Sequence, residues 1–243
     1  MTIEKIEGII INELDSGESS KIINVLTKNK GVIGIMCKGA KKMKSKFSGV
    51  TGKLTYAFFH IYYKENKLST LISVDVINPL LNLKTNIESL AYASYNLDLI
   101  KGVSRENSGI EVYEIFKNSL IKINEGIDPF GITNIVELKC LEFLGIKPIL
   151  DRCVSCDKTQ NIKTICAFKG GYICENCYEG EYIYSDKTLG LIRNLYYVDI
   201  NNISKFDISN ETKTEINRFI TEYYDRYSGI YLKSKKFIEK FKI

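Results

Sequence analysis

The chain is poor in the residues on which most enzymes rely. It has one histidine, His60, no tryptophan and three prolines among 243 residues. A single histidine leaves no basis for Ser-His-Asp, Cys-His or histidine-rich metal chemistry, and because His60 lies in an apolar run we expect it to be structural. The sequence has no G-x-x-x-x-G-K-[ST] phosphate loop, and no G-x-G-x-x-G motif follows a predicted strand. We therefore predict that the protein is not an enzyme.

Long apolar runs and an apolar signal core are missing as well. No stretch approaches the roughly 18 apolar residues that a membrane span needs, and the first residues include acids. These features predict a cytoplasmic protein. In that reducing compartment, the seven cysteines favour thiol or metal chemistry over a disulfide framework.

Acidic residues are absent between Glu18 and Glu65, a stretch that contains ten lysines. The net charge of +5 is modest, but residues 1–78 hold twelve lysines against seven acids. A surface with one sign of charge favours a polyanion such as nucleic acid; the alternative is a solvated, lysine-rich face. A magnesium nuclease, a second alternative, would need clustered carboxylates, and this stretch has none.

The densest positive charge lies at residues 38–46, here called the basic segment. A flexible, glycine-punctuated loop of this kind is suited to follow a phosphate backbone with point charges. It lacks arginine forks and Asn or Gln pairs, so we expect weak sequence preference. The candidate DNA-binding residues are Lys38, Lys41, Lys42, Lys44 and Lys46.

The N-terminal third reads as short strands separated by turn signals. The predicted strands cover residues 6–11, 21–27, 32–36, 55–63 and 71–76. Five strands in so short a chain favour a small barrel of the OB-fold type, which binds oligonucleotides. In the fourth strand, one face carries Tyr56, Phe58, His60 and Tyr62 and the other Phe59, Ile61 and Tyr63. One face must fill the barrel, and the other either stacks bases or covers a helix.

Helical patterns replace the strands after Pro79. A capping box at Thr85-x-x-Glu88 predicts one helix start, and Asp128 followed by Pro129 predicts another, in a helix that runs to Gly145. Further helices are predicted at residues 111–123, 188–198 and 211–227. The fold class is therefore α+β, with an N-terminal OB-fold barrel (1–78), a helical domain (79–149 and 181–243, ending in a basic tail) and an embedded zinc module (150–180).

The zinc module is predicted from two C-x2-C pairs separated by seventeen residues. Each pair at a tight turn directs two thiolates to one side, and two such turns complete a tetrahedral zinc site. Because the protein fills every position, the single zinc is expected to be structural. The alternative, a pair of redox-active dithiols, needs a βαβ context that is absent. The predicted ligands are Cys153, Cys156, Cys174 and Cys177, whereas Cys37, Cys140 and Cys166 are expected to be buried.

Five stretches, in the right order, resemble the RecO family across essentially the whole chain. The most specific is Glu137–Pro148 running into Asp151, Arg152 and Cys153. The others are residues 7–10 with 17–22, the start of the basic segment at 38–42, residues 90–95 and residues 232–237.

This resemblance implies a bacterial, nucleoid-associated protein that binds single-stranded DNA and anneals complementary strands. It also implies loading of a recombinase onto coated strands in DNA repair and homologous recombination. Expected partners are a RecR-type mediator and the acidic tail of single-strand-binding protein, which we place at Lys235, Lys236 and Phe237. The alternative for these residues is a basic helix end that complements the helix dipole. The alternative function is a zinc-ribbon OB-fold scaffold in transcription or translation.

Overall fold

The N-terminal part of the protein is a closed sheet of five strands. The computed structural model describes residues 2–104, 109–230 and 234–238. The strands are β1 (Thr2–Ser16), β2 (Ser20–Thr27), β3 (Gly31–Cys37), β4 (Tyr56–Tyr63) and β5 (Ser69–Asn78). All five predicted strands are present, and they form a barrel in the order β1-β2-β3-β5-β4, with β4 paired back to β1.

The barrel closes through one short parallel contact. Ile35 and Met36 of β3 pair with Ser69 and Thr70 of β5, and every other pairing in the barrel is antiparallel. Beyond Thr70, β5 has no further register partner on β3. The chain that links β3 to β4 contacts β5 there, where Lys46 donates a hydrogen bond to the Ile72 carbonyl.

The β1 run Ile9-Ile10-Ile11 is buried on both faces of the sheet. Ile10 belongs to the cluster that fills the barrel, whereas Ile9 and Ile11 join a second cluster shared with the helices. A bulge between Ile10 and Asn12 interrupts the register with β2. The continuous β-branched run is therefore explained by apolar neighbours on both sides, as in any strand covered twice.

The rest of the described chain is mainly helical and contains one hairpin. The helices are α1 (Leu81–Thr85), α2 (Ile87–Val103), α3 (Ile110–Asn124), α4 (Pro129–Phe143), α5 (Asp186–Tyr197), α6 (Asn210–Tyr227) and α7 (Lys235–Ile238), and the hairpin is β6 (Ile162–Cys166) with β7 (Gly171–Cys174). Among the described residues, no helix combines the length and the apolar character needed to cross a membrane.

The helix starts confirm one predicted cap and correct another. Asp128 caps α4, with Pro129 in the first turn, as predicted. The predicted capping box at Thr85 is wrong: Asn86 caps α2 by accepting a 2.9 Å hydrogen bond from the Ser89 N–H. Thr85 instead ends α1, where its hydroxyl donates to the Leu81 carbonyl at 2.9 Å, so it is already engaged in the preceding helix.

The predicted end of α4 also needs a correction. The helix stops at Phe143, two residues before the predicted Gly145. Gly145 follows with a φ of 72°, the left-handed conformation that terminates helices and that glycine adopts without strain.

A partly buried polar contact joins the barrel to the helices. Glu7 of β1 accepts hydrogen bonds from the hydroxyls of Tyr56 (2.7 Å) and Tyr113 (2.8 Å). Burial acts to raise the pKa of Glu7, but the two hydroxyl donors together with the positive charges of Lys28 and Lys117 outweigh it and lower the pKa below its ordinary value. The ionised carboxylate is therefore the form that this junction favours.

Candidate nucleic-acid interface and metal centre

The basic segment is anchored to the barrel near both of its ends. Hydrogen-bonded turns follow one another along it, including Ser45 N–H to Lys42 O at 2.9 Å. Ala40 and Phe47 are 5% and 7% exposed and belong to the cluster that fills the barrel. Burying these two side chains holds the lysines between them at the surface. Sequence reasoning missed this anchor, although Phe47 stands out as an aromatic residue at the end of a polar run.

Two of the five candidate lysines already have partners within the protein. Lys41 forms a 2.9 Å ion pair with Asp15, and this hydrogen bond lowers the pKa of the Asp15 carboxyl. Lys46 Nζ donates to the Ile72 carbonyl at 2.9 Å. All five residues are exposed, and Lys41 and Lys46 differ from Lys38, Lys42 and Lys44 in having these partners. All five lysines lie in one segment at the surface of the barrel, and Lys38, Lys42 and Lys44 are the ones best placed to meet a phosphate.

The aromatic strand β4 divides as its alternation predicted. Phe59 and Ile61 fill the barrel with Ala57. On the opposite face, Tyr56 is buried against the helices, whereas Phe58 and His60 are half-buried and Tyr62 is exposed. Tyr56 thus covers a helix, and the three residues that follow it on that face are half-buried or exposed.

The four cysteines of the C-x2-C pairs converge on one point. Their Sγ atoms all lie within 4.8 Å of one another, and the Sγ atoms of Cys156 and Cys174 are 3.6 Å apart. Zn–S bonds of about 2.3 Å in a tetrahedron place neighbouring sulfurs about 3.8 Å apart, whereas a disulfide needs about 2.05 Å. The four donors, Cys153, Cys156, Cys174 and Cys177, therefore fit a four-thiolate metal site.

Local backbone structure explains why each pair turns inward. After the first pair, Asp157 adopts a φ of 59°, and its N–H donates to the Cys153 carbonyl at 3.0 Å. The second pair begins at the end of β7 and continues in a 3₁₀ turn over Glu175–Cys177. At Gly171, at the start of β7, a Cβ atom would lie 2.2 Å from the Ile149 carbonyl oxygen, so only glycine permits this approach.

The thiols of the cluster differ in how readily they ionise. Burial acts to raise the pKa of Cys153, but backbone N–H donors, among them that of Cys174, lower it to about 6. Hydrogen bonds with the thiols of Cys156 and Cys174 raise the pKa of Cys177 to about 12. A bound metal would hold all four as thiolates, so its binding releases protons.

The remaining cysteines follow the prediction in two cases out of three. Cys37 and Cys140 are buried, and burial raises the pKa of the Cys37 thiol to about 12. Cys166 is only half-buried, so the prediction of a buried residue is wrong there. It is the last residue of β6, where the hairpin turn begins, and this position leaves one side of the residue open.

The predicted partner-binding residues lie in the short terminal helix α7. Lys235 is half-buried, whereas the side chains of Lys236 and Phe237 lie outside the described residues. The neighbouring Ile238 packs with Tyr92, Tyr95 and Phe130. Helix α7 is therefore docked against the helices α2 and α4.

Comparison with known proteins decides the family. The family model described as Recombination protein O N terminal matches residues 1–80, and Recombination protein O C terminal matches residues 84–236. The chain belongs to the RecO family. It is 35% identical to the DNA repair protein RecO of Bacillus pumilus over 97% of this chain and 93% of that protein. Identity to the RecO proteins of Bacillus subtilis and of a Listeria monocytogenes strain is 34%, over 98% of this chain and 94% of each relative.

Membership of the RecO family favours one of the two expected functions. The relatives are bacterial proteins named for DNA repair, which agrees with a mediator of recombination and not with a scaffold in transcription or translation.

Proposed function

We propose that this RecO family protein binds single-stranded DNA and anneals complementary strands during DNA repair and homologous recombination. In this role it helps to load a recombinase onto strands coated by single-strand-binding protein. Its partners are a RecR-type mediator and the acidic tail of the coating protein. The single observation that carries the proposal is the basic segment, a lysine-rich surface fixed to a barrel.

The charge of the basic segment and its anchoring to the barrel together support binding through phosphates. Lys38, Lys42 and Lys44 are exposed, and the buried Phe47 holds their backbone in place. A backbone held in place presents its ammonium groups to phosphates from one side of the barrel, so less backbone conformational entropy is lost on binding than in an unanchored loop. Point charges do not distinguish bases, which is what a protein that anneals strands of any sequence requires.

The topology supports assignment of residues 1–78 to the OB-fold class. Five strands close in the order β1-β2-β3-β5-β4 with one parallel contact between β3 and β5, and small barrels of this class bind oligonucleotides. The helical parts, residues 79–149 and 181–243, complete the proposed domain division with the cysteine-rich residues 150–180 between them.

A structural Zn²⁺ is the proposed occupant of the cysteine cluster. The four thiolate donors and their spacing fit zinc, and no position is left over for a reactant. The metal would hold the β6–β7 hairpin and the turns around it. The hairpin contacts the helices, because Tyr172 donates to the Leu189 carbonyl at 2.7 Å and Tyr227 donates to the Phe168 carbonyl at 2.8 Å.

Binding and annealing assays test the function directly. Fluorescent oligonucleotides of equal length, as single-stranded DNA, duplex DNA and single-stranded RNA, are titrated with the protein, and annealing of complementary strands is followed by energy transfer. We expect the tightest binding to single-stranded DNA and faster annealing at catalytic amounts of protein. A protein that binds single strands but leaves annealing unaccelerated would contradict the mediator role, and one that binds none of them would contradict nucleic-acid binding altogether.

A further inference from the structure

The outer face formed by β1, β4 and β5 carries a column of aromatic rings. These rings lie on β4 and are not part of the basic segment. Phe58, His60 and Tyr62 alternate along β4, so successive rings are about 6.6 Å apart along the strand. On β1 the facing residues are Glu7, Lys5 and Ile3, and on β5 they are Asp75, Ser73 and Thr70. The result is a three-stranded surface whose central strand presents rings and whose flanking strands present mainly small or polar side chains.

The rings differ in accessibility along this column. Lys5 Nζ lies 4.1 Å above the centroid of Phe58, so that ring is covered by a cation. His60 Nε2 lies 2.8 Å from Asp75 Oδ2, which fixes the imidazole and engages the carboxylate on β5. Tyr62 is 41% exposed and is the most accessible ring of the three.

The basic segment reaches the edge of this face. Lys46 Nζ donates to the carbonyl of Ile72, and Ile72 precedes Ser73, the residue opposite His60. The last lysine of the basic segment therefore touches β5 one residue from the position that faces the aromatic column. A strand held along the basic segment has a short path across β5 to the rings, with the ammonium of Lys5 on the far side of the column.

We infer that this face is a second contact for single-stranded nucleic acid, in which unpaired bases stack on Tyr62 and His60. The inference rests on the proposed single-strand binding and deepens it. Stacking favours single strands because the bases of a duplex hide their faces from side chains. The lysines at both borders supply charge complementary to the phosphates, and ring stacking adds affinity that salt does not remove.

The absence of tryptophan from the chain makes Tyr62→Trp a clean probe. It places the only indole of the protein on the aromatic column, and we expect its emission to be quenched on titration with oligothymidylate. Tyr197→Trp is the matched control, because Tyr197 is also exposed, at 56%, but lies on α5. Its emission should not change in the same titration.

Affinity measurements distinguish a ring that contributes to binding by stacking from one whose fluorescence only reports that DNA is bound nearby. Tyr62→Thr, which keeps a residue of high strand propensity at this position, should weaken oligothymidylate binding about tenfold, or about 1.4 kcal/mol, with an unchanged salt dependence. Tyr62→Phe should retain the wild-type affinity. Circular dichroism and thermal unfolding verify that both variants are folded.

Three results would overturn the inference. The first is unquenched indole emission from the Tyr62→Trp variant at saturating oligothymidylate, the second is wild-type affinity in Tyr62→Thr, and the third is an equal loss of affinity in Tyr62→Phe. If these occur while substitutions in the basic segment still weaken binding, only the stacking face is refuted and the surface is left to a protein partner. If the wild-type protein fails to bind single strands, the proposed function and this inference fail together.

Discussion

Removing charge from the basic segment should change how binding depends on salt. Each phosphate neutralised on a single strand contributes about 0.7 to the slope of log affinity against log salt concentration. Five lysines that each met one phosphate would give a slope near −3.5, and the partners that Lys41 and Lys46 already have make the expected slope somewhat shallower. Between about 50 and 200 mM salt, affinity should then fall by roughly two decades. The structure distinguishes these lysines by their partners: Lys41, Lys42 and Lys44 are all exposed, and Lys41 is the one of the three that is paired with Asp15.

The double substitution Lys42→Ala and Lys44→Ala should therefore flatten the slope by about 1.4, and the loss over the same salt range should shrink to about 1.3 decades. Adding Lys41→Ala should flatten the slope by less than the roughly 0.7 expected for one phosphate contact, since Asp15 already neutralises the charge of Lys41. The changes should be equal for unrelated sequences, because phosphates carry no base identity. Fluorescence anisotropy at four or more salt concentrations measures each slope.

The matched control is Lys187→Ala with Lys205→Ala, which removes the same charge from exposed positions outside the barrel. Its slope should stay close to that of the wild type. An unaltered slope in the Lys42 and Lys44 variant would refute the assignment of the DNA site to the basic segment. Equal slopes in the two double variants would show that only net charge matters.

Three further predictions concern the metal, the tail and the junction. Purified protein should carry about one zinc per chain. Elemental analysis should show that the zinc is lost in Cys174→Ser and kept in Cys166→Ser. A metal-free protein of unchanged thermal stability would contradict the site. An acidic, hydrophobic tail peptide should give binding heat in calorimetry that Lys235→Glu reduces, and no heat from the wild type would reject that surface. Tyr113→Phe should cost about 1–2 kcal/mol of unfolding free energy at neutral pH in urea titrations. Because the pKa of Glu7 is lowered in the fold, the stabilisation by its carboxylate is complete above the ordinary pKa of 4.5 and is lost as the pH falls below that value. The Tyr113→Phe variant should therefore lose less unfolding free energy on acidification than the wild type. An identical pH profile of the two proteins would exclude this role.

The sequence predicted local structure well because its signals are local. The β-branched runs, the Asp128 and Pro129 pair and the two C-x2-C turns each specify a few residues of backbone, and the structure has an element at each. The capping box at Thr85 failed because a neighbouring short helix uses that threonine. The capping pattern does not show that a short helix ends at Thr85, and it is this end that leaves Asn86 to cap α2.

Contacts distant in sequence were beyond the reach of the sequence pattern. The parallel contact between β3 and β5 and the pairing of Lys41 with Asp15 each join residues far apart along the chain. No sequence pattern near Lys41 indicates its ion-pair partner, Asp15, which lies on β1. The anchoring of the basic segment by Phe47 likewise depends on a barrel interior that exists only after the strands have closed. Positions of candidate residues were therefore predictable, and their availability to a ligand was not.

The apolar cluster that β1 shares with the helices limits where the chain can be cut into fragments or joined in chimeras. Ile9, Leu26 and Tyr56 lie in one cluster with Tyr113 and other helical residues, so a fragment cut after β5 would expose these side chains to water. A chimera that joins this barrel to the helices of a relative would need the facing helical surface to be exchanged with it. Barrel and helices should also melt in one calorimetric transition, because unfolding of either part would expose the apolar cluster that they share.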